Sequence, residues 1–164
     1  SGRITPQLLA DNSVSITTAL VRRECFDTLG GFDPSYGVAD DYELWLRFSA
    51  RYRFQYEPGL VAGYRVMAEQ ISSDKRRRFA ANERIIRDFT ARDGACLSPG
   101  ERRWGLARFY ARKARYFAGV GEGIEAFDAS LRAIGLYPSG AFVWRALYRA
   151  VLYTLQYIYR RLKG

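Results

Sequence analysis

The chain has 164 residues, 48% of them hydrophobic and 15% aromatic, enough for one domain or two small ones with a real core and too apolar to be disordered by composition. Its 26 Lys and Arg outweigh 17 Asp and Glu, a net charge of +9, so anions are the expected partners. Nucleic acid is disfavoured among them, because no glycine-aromatic ribonucleoprotein motif, zinc-ligand spacing or helix-turn-helix pattern accompanies the charge.

The charge is unevenly placed. Residues 1–74 carry a net −3 and residues 75–164 a net +12. The opening Ser1-Gly2-Arg3-Ile4-Thr5-Pro6 lacks the apolar segment of a signal peptide. Two distant cysteines, Cys25 and Cys96, have no metal-ligand spacing and read as reduced, structural thiols, which favours the cytoplasm.

In chain order, β-branched and aromatic runs at 14–21, 53–56 and 60–66 read as strands. Turn residues such as Asp33-Pro34 and Pro58-Gly59 punctuate them. Short helices belong at 24–29 and after Ala39, where Asp40 or Asp41 is placed to cap and Glu43 to meet the helix dipole. Leu44, Trp45 and Phe48 fall on one side of that second helix as a buried stripe. The expected architecture is α/β over 1–74, followed by an α-helical extension over 75–164.

Helical periodicity dominates beyond Asp74. Lys75-Arg76-Arg77-Arg78 opens one helix, which runs to about Asp93-Gly94 with Phe79, Ile85, Ile86 and Phe89 inward. Ser98-Pro99-Gly100-Glu101 reads as cap, first-turn Pro and third-position Glu of the next. That helix breaks at Gly119-Val120-Gly121, and another runs from about Glu122 to Ile134. The pair, residues 100–138, resembles one tetratricopeptide repeat of about 34 residues, with Tyr110, Ala114, Phe117, Gly121, Ala126, Ala133 and Pro138 at the pattern's positions. Ser130 departs from it where an aromatic is common. One repeat forms no array, so it reads as a packed hairpin.

The last segment, 140–163, is amphipathic. Trp144, Leu147, Tyr148, Val151, Leu155, Ile158 and Leu162 recur at three and four residues, with Arg145, Arg149, Gln156, Arg160 and Arg161 mostly opposite. The uncharged run between Arg149 and Arg160 is too short to span a bilayer. Two readings stay open: the apolar face lies on an anionic membrane surface, or it packs on the preceding hairpin.

Across residues 14–73, the chain resembles the family 2 glycosyltransferases. The resemblance rests on Ser15-Ile16-Thr17-Thr18-Ala19-Leu20-Val21-Arg22-Arg23, then Gly30-Gly31-Phe32-Asp33, then Asp40-Asp41-Tyr42-Glu43-Leu44-Trp45-Leu46-Arg47, and finally Tyr64-Arg65-Val66. It implies an inverting transferase that moves a sugar from a nucleotide-sugar donor to a saccharide or lipid-linked acceptor, in envelope polysaccharide or glycoconjugate synthesis. Asp41 stands where the family keeps its general base, and Asp40 where it keeps a Glu. Trp45 is then a candidate acceptor wall, with a core position as its rival. Arg47 and Arg65 are candidates to orient Asp41 or meet a phosphate, with structural pairing as theirs.

The chain departs from the family at Met67, where a His is usual. No Asp-x-Asp precedes the first motif. The segment therefore reads as the acceptor-side half, inactive without a donor-binding half, and the divalent cation (Mg or Mn) that the family implies would find its ligands outside it. The expected location is cytoplasmic, peripheral at the inner face of the membrane. The competing class is a non-catalytic basic helical module that docks to a membrane or protein partner.

Overall fold

The computed structural model describes residues 1–63 and 74–163. Among these, regular structure is helical: α1 (Thr5–Ala10), α2 (Arg23–Leu29), α3 (Asp40–Ser49), α4 (Lys75–Arg92), α5 (Pro99–Gly119), α6 (Gly123–Leu136) and α7 (Ala141–Lys163). Single 3-10 turns lie at Ile16–Thr18, Pro34–Tyr36 and Gly94–Cys96.

The expected α/β class is overturned, because no strand forms among the described residues. Residues 14–21 hold a 3-10 turn instead, with Leu20 wholly exposed. At 53–56 pairing shrinks to one antiparallel bridge between Gly2 and Phe54, with N···O distances of 2.6 and 2.9 Å. Leu60 and Val61 are exposed and irregular, and the rest of the 60–66 run lies outside the described residues. A β-branched run becomes a strand only where a neighbouring strand takes its N–H and C=O groups and a core takes its side chains. Among the described residues, 14–21, Leu60 and Val61 have neither, and 53–56 has only the Gly2 bridge and the Phe54–Trp45 contact.

Two compact units divide the chain. The first comprises Ser1–Leu8 and Asn12–Ser98, the second Leu9–Asp11 and Pro99–Gly164. The division thus falls at Ser98, not at Asp74 where composition changes, because α4 belongs with α3. Tyr36 donates to Asp88 (3.3 Å), Arg84 donates to the Ser35 carbonyl (3.2 Å), and Arg92 reaches Glu43. Asp74 caps α4 by accepting from the Arg77 amide at 2.9 Å.

In the first unit α3 is the central helix. Tyr42, Leu44, Trp45, Leu46 and Phe48 are all buried, so the expected one-sided stripe is apolar nearly all round, as a core helix requires. The Tyr42 hydroxyl donates to the Leu8 carbonyl (2.6 Å) and the Thr5 hydroxyl to the Ser49 carbonyl (2.8 Å). Edge-on aromatic pairs, Phe26 with Phe48 (5.3 Å) and Trp45 with Phe54 (6.3 Å), bring α2 and the 53–56 segment onto it.

The second unit is three helices joined by short turns, with α5 and α6 close to their expected limits. Ala107, Ala111 and Ala114 of α5 meet Ala129 and Ala133 of α6, and Val143 and Ala146 of α7 close the cluster. Side chains this small let helix axes approach closely. Gly121 takes φ +81° in the α5–α6 turn, and a β-carbon there would stand 3.2 Å from the Tyr157 ring. Gly123 sits so close to Thr154 that a β-carbon would fall 2.5 Å from its hydroxyl oxygen, which sets how near α6 and α7 come. No described helix is long and apolar enough to cross a membrane.

Candidate functional site

The block from Leu29 to Arg47 is built around one buried carboxylate. Glu43, 3% exposed, lies one turn before Arg47 and accepts from its guanidinium: Nε at 3.1 and 3.2 Å, Nη2 at 2.9 Å. Arg92 of α4 donates to the other face of Glu43 at 3.0 Å. Burial works against the Arg92 charge, but its bonds to Asp93 and Glu43 outweigh that and raise its pKa further.

The remaining donors of Arg47 go to the turn after α2. Nη2 donates to the Gly31 carbonyl (2.6 Å), and Nη1 donates to Gly30 (3.2 Å) and to Leu29. All five N–H groups of a guanidinium are thereby used. The Gly-Gly turn and the Glu/Arg pair of α3 form one clamp, which satisfies carbonyls that the end of α2 leaves open. Asp33 shapes the next turn: its carboxylate accepts from the Ser35 amide at 2.9 Å, and that bond holds its pKa below the usual range. The stabilisation from that bond is present above the ordinary aspartate range and fades as pH falls through the lowered value.

The candidate residues therefore separate. Arg47 is consumed by Glu43 and the turn carbonyls and does not touch Asp41. Trp45 faces the core at 1% exposure, its indole N–H without a partner among the described residues, leaving no face for a ligand. Arg65 lies outside the described residues, as does Met67. Asp40 and Asp41 stay together at the solvent edge.

Asp40 and Asp41 occupy the first two helical positions of α3, not its cap. The cap is Ala39, at φ 71° and ψ 32°, the sole non-glycine with positive φ among the described residues. Asp40 accepts from the Asp41 amide at 2.9 Å. Asp41 Oδ2 accepts from the Asn12 side-chain amide at 3.3 Å. Both carboxylates are half-buried, and three acidic residues share this first turn, where the helix dipole favours negative charge. Among the described residues that long hydrogen bond is the only one to the Asp41 carboxylate, and a carboxylate so placed has lone pairs to accept a proton.

Left-handed backbone at a residue with a β-carbon costs on the order of 1–2 kcal/mol, and such strain concentrates at functional sites. Ala39→Gly is accordingly expected to raise unfolding stability by about 0.5–1 kcal/mol in urea titrations, the relief of strain less the added chain entropy. A loss of stability instead would show that the Ala39 methyl group packs productively.

Neither Asn12, Ala39 nor the second partner of Glu43 was marked in the sequence. The Glu43–Arg47 spacing of four was the one available signal for the clamp. Two shallow concavities lie elsewhere. One of about 400 Å³ is lined by Gly2, Ser49 and Arg53, among others, beyond the C-terminal end of α3 from Asp41. No group of three or more His, Cys, Asp or Glu that could hold a metal ion occurs among the described residues.

No family model, no curated protein and no solved structure matches this chain.

Proposed function

We propose that residues 1–98 form the acceptor-side portion of an inverting glycosyltransferase, with Asp41 as its general base. The observation that carries this reading is the strained Ala39, which presents a half-exposed Asp41 at the positive end of a helix clamped by Glu43, Arg47 and Arg92. A rigid helix behind an accessible carboxylate suits proton transfer, which needs geometry before it needs a tuned pKa.

In this mechanism an acceptor hydroxyl donates its proton to Asp41 as its oxygen bonds to the anomeric carbon. The bond from that carbon to the diphosphate oxygen breaks on the opposite face, and the nucleoside diphosphate leaves with the electron pair. One displacement inverts the anomeric centre. General-base help of this kind contributes about 10²–10⁴-fold, so the greater part of the acceleration comes from positioning and from stabilising the departing charge. Glu43 and Arg47 take no part in the chemistry and act only by holding α3.

The test is stereochemical. A protein that joins this segment to a nucleotide-sugar-binding half should release a glycoside whose anomeric configuration is opposite to the donor's, read from proton NMR coupling constants. Retention of configuration would exclude the single displacement and with it the base role of Asp41. Transfer by the present chain alone would show that the donor site is not where this reading puts it.

A further inference from the structure

We infer that the outward face of α7 docks to an anionic membrane surface.

The residues that hold α7 in its unit are small. Val143, Ala146 and Ala150 are buried at a spacing of three and four, and Thr154 and Tyr157 continue that line onto Gly123 and Gly121. The large apolar residues point elsewhere. Trp144, Val151, Leu155 and Ile158 are 52%, 43%, 60% and 48% exposed, and Tyr148 is more exposed still. At 100° per residue these five fill one arc next to the packed line, and the arc begins on the side of Thr154 that faces α6. On α6 a second stripe, Ile124, Phe127 and Leu131, is exposed too. An apolar patch of this extent on a folded unit marks an interaction surface.

Charge selects the occupant. Helix α7 carries five Lys and Arg and no acidic residue. Arg145 and Lys163 lie nearest one edge of the apolar arc, and Arg149 and Arg160 lie further round on the same flank; their long stems let these charges reach toward anionic headgroups while the arc is seated in lipid. Trp144 already donates its indole N–H to the Pro138 carbonyl at 2.8 Å, so burying the ring in lipid leaves no donor unpaired. The helix is about 35 Å long at 1.5 Å per residue and too polar to cross a bilayer, so it lies in the interface plane. A second copy of the chain suits the face poorly, since it would set two copies of α7, each with five Lys and Arg and no acidic residue, against one another.

The inference is independent of Asp41 and is tested on the chain as it stands, by flotation with vesicles. Phosphatidylcholine vesicles with about 30% phosphatidylglycerol should carry the protein, and pure phosphatidylcholine should carry much less. Binding should weaken as NaCl rises from about 0.1 to about 0.5 M. Replacing Arg145, Arg149 and Arg160 by Gln should weaken it about 100-fold, roughly five-fold per cation. Leu155→Glu with Ile158→Glu should abolish it while circular dichroism stays unchanged, because both side chains are solvent-exposed. Equal binding to neutral vesicles, full binding by the double Glu variant, or no binding to either vesicle would overturn the proposal. Concentration-dependent dimerisation lost in the double Glu variant, without vesicle binding, would assign the face to self-association and overturn it as well.

Discussion

Asp41→Asn is expected to lower the turnover of a protein that joins this segment to a nucleotide-sugar-binding half by at least two orders of magnitude, with donor binding unchanged. The amide is nearly isosteric and sits as well at the second position of α3, so the helix should survive. What is lost is the lone pair that takes the proton, a contribution of about 10²–10⁴-fold. Because the loss is confined to the transition state, kcat and kcat/KM should fall together. Asp40→Asn should cost much less, since Asp40 spends one oxygen on the Asp41 amide. An Asp41→Asn enzyme within a few-fold of the parent would remove the base role, and a larger loss at Asp40 would move that role one residue back.

Glu43→Gln should be the most damaging single change to the fold. The substitution keeps the shape but removes the one negative charge between Arg47 and Arg92. Breaking a buried ion pair by removing one partner costs about 3–5 kcal/mol. The lower end applies because the Arg92 side chain is 48% exposed and can rehydrate, whereas the Arg47 side chain, 13% exposed, cannot. A loss near 3 kcal/mol is a large share of ordinary domain stability and shifts a domain of this size by more than about 10 °C. Scanning calorimetry checks this directly. Arg92→Gln should cost less than half as much. If Glu43→Gln cost under about 1 kcal/mol, the carboxylate would have to be hydrated and the clamp would hold α3 only loosely.

The helical half was legible because its signals are local. Pro99 and Asp74 stand where helices begin, Gly119 and Gly121 where one ends, and the small-residue spacing of Ala114, Ala126 and Ala133 states the close approach that α5 and α6 make. The division at Ser98 was not legible. It depends on Arg84, Asp88 and Arg92 reaching residues some fifty positions earlier, while composition changes at Asp74. The run at 14–21 and the described residues of the run at 60–66 carry strand propensity without a partner strand, and propensity does not form a ladder by itself. In the candidate site, the Asp pair was legible at the start of a helix. Its cap was not, since nothing in Val38-Ala39 announces a left-handed residue.

By itself the sequence determined the helices of residues 75–163, the basic charge they carry, and the meeting of two carboxylates at the start of α3. Each follows from capping, periodicity or composition within a few neighbouring residues. Only the tertiary structure decided that Trp45 is core, that Arg47 serves Glu43 and a glycine turn, and that α7 packs through Val143, Ala146 and Ala150 while its large side chains stay outside. Those outcomes turn on which surface competes best for a given face, and that competition is settled among residues far apart in the chain, where a periodic pattern shows that a face is apolar but not what covers it.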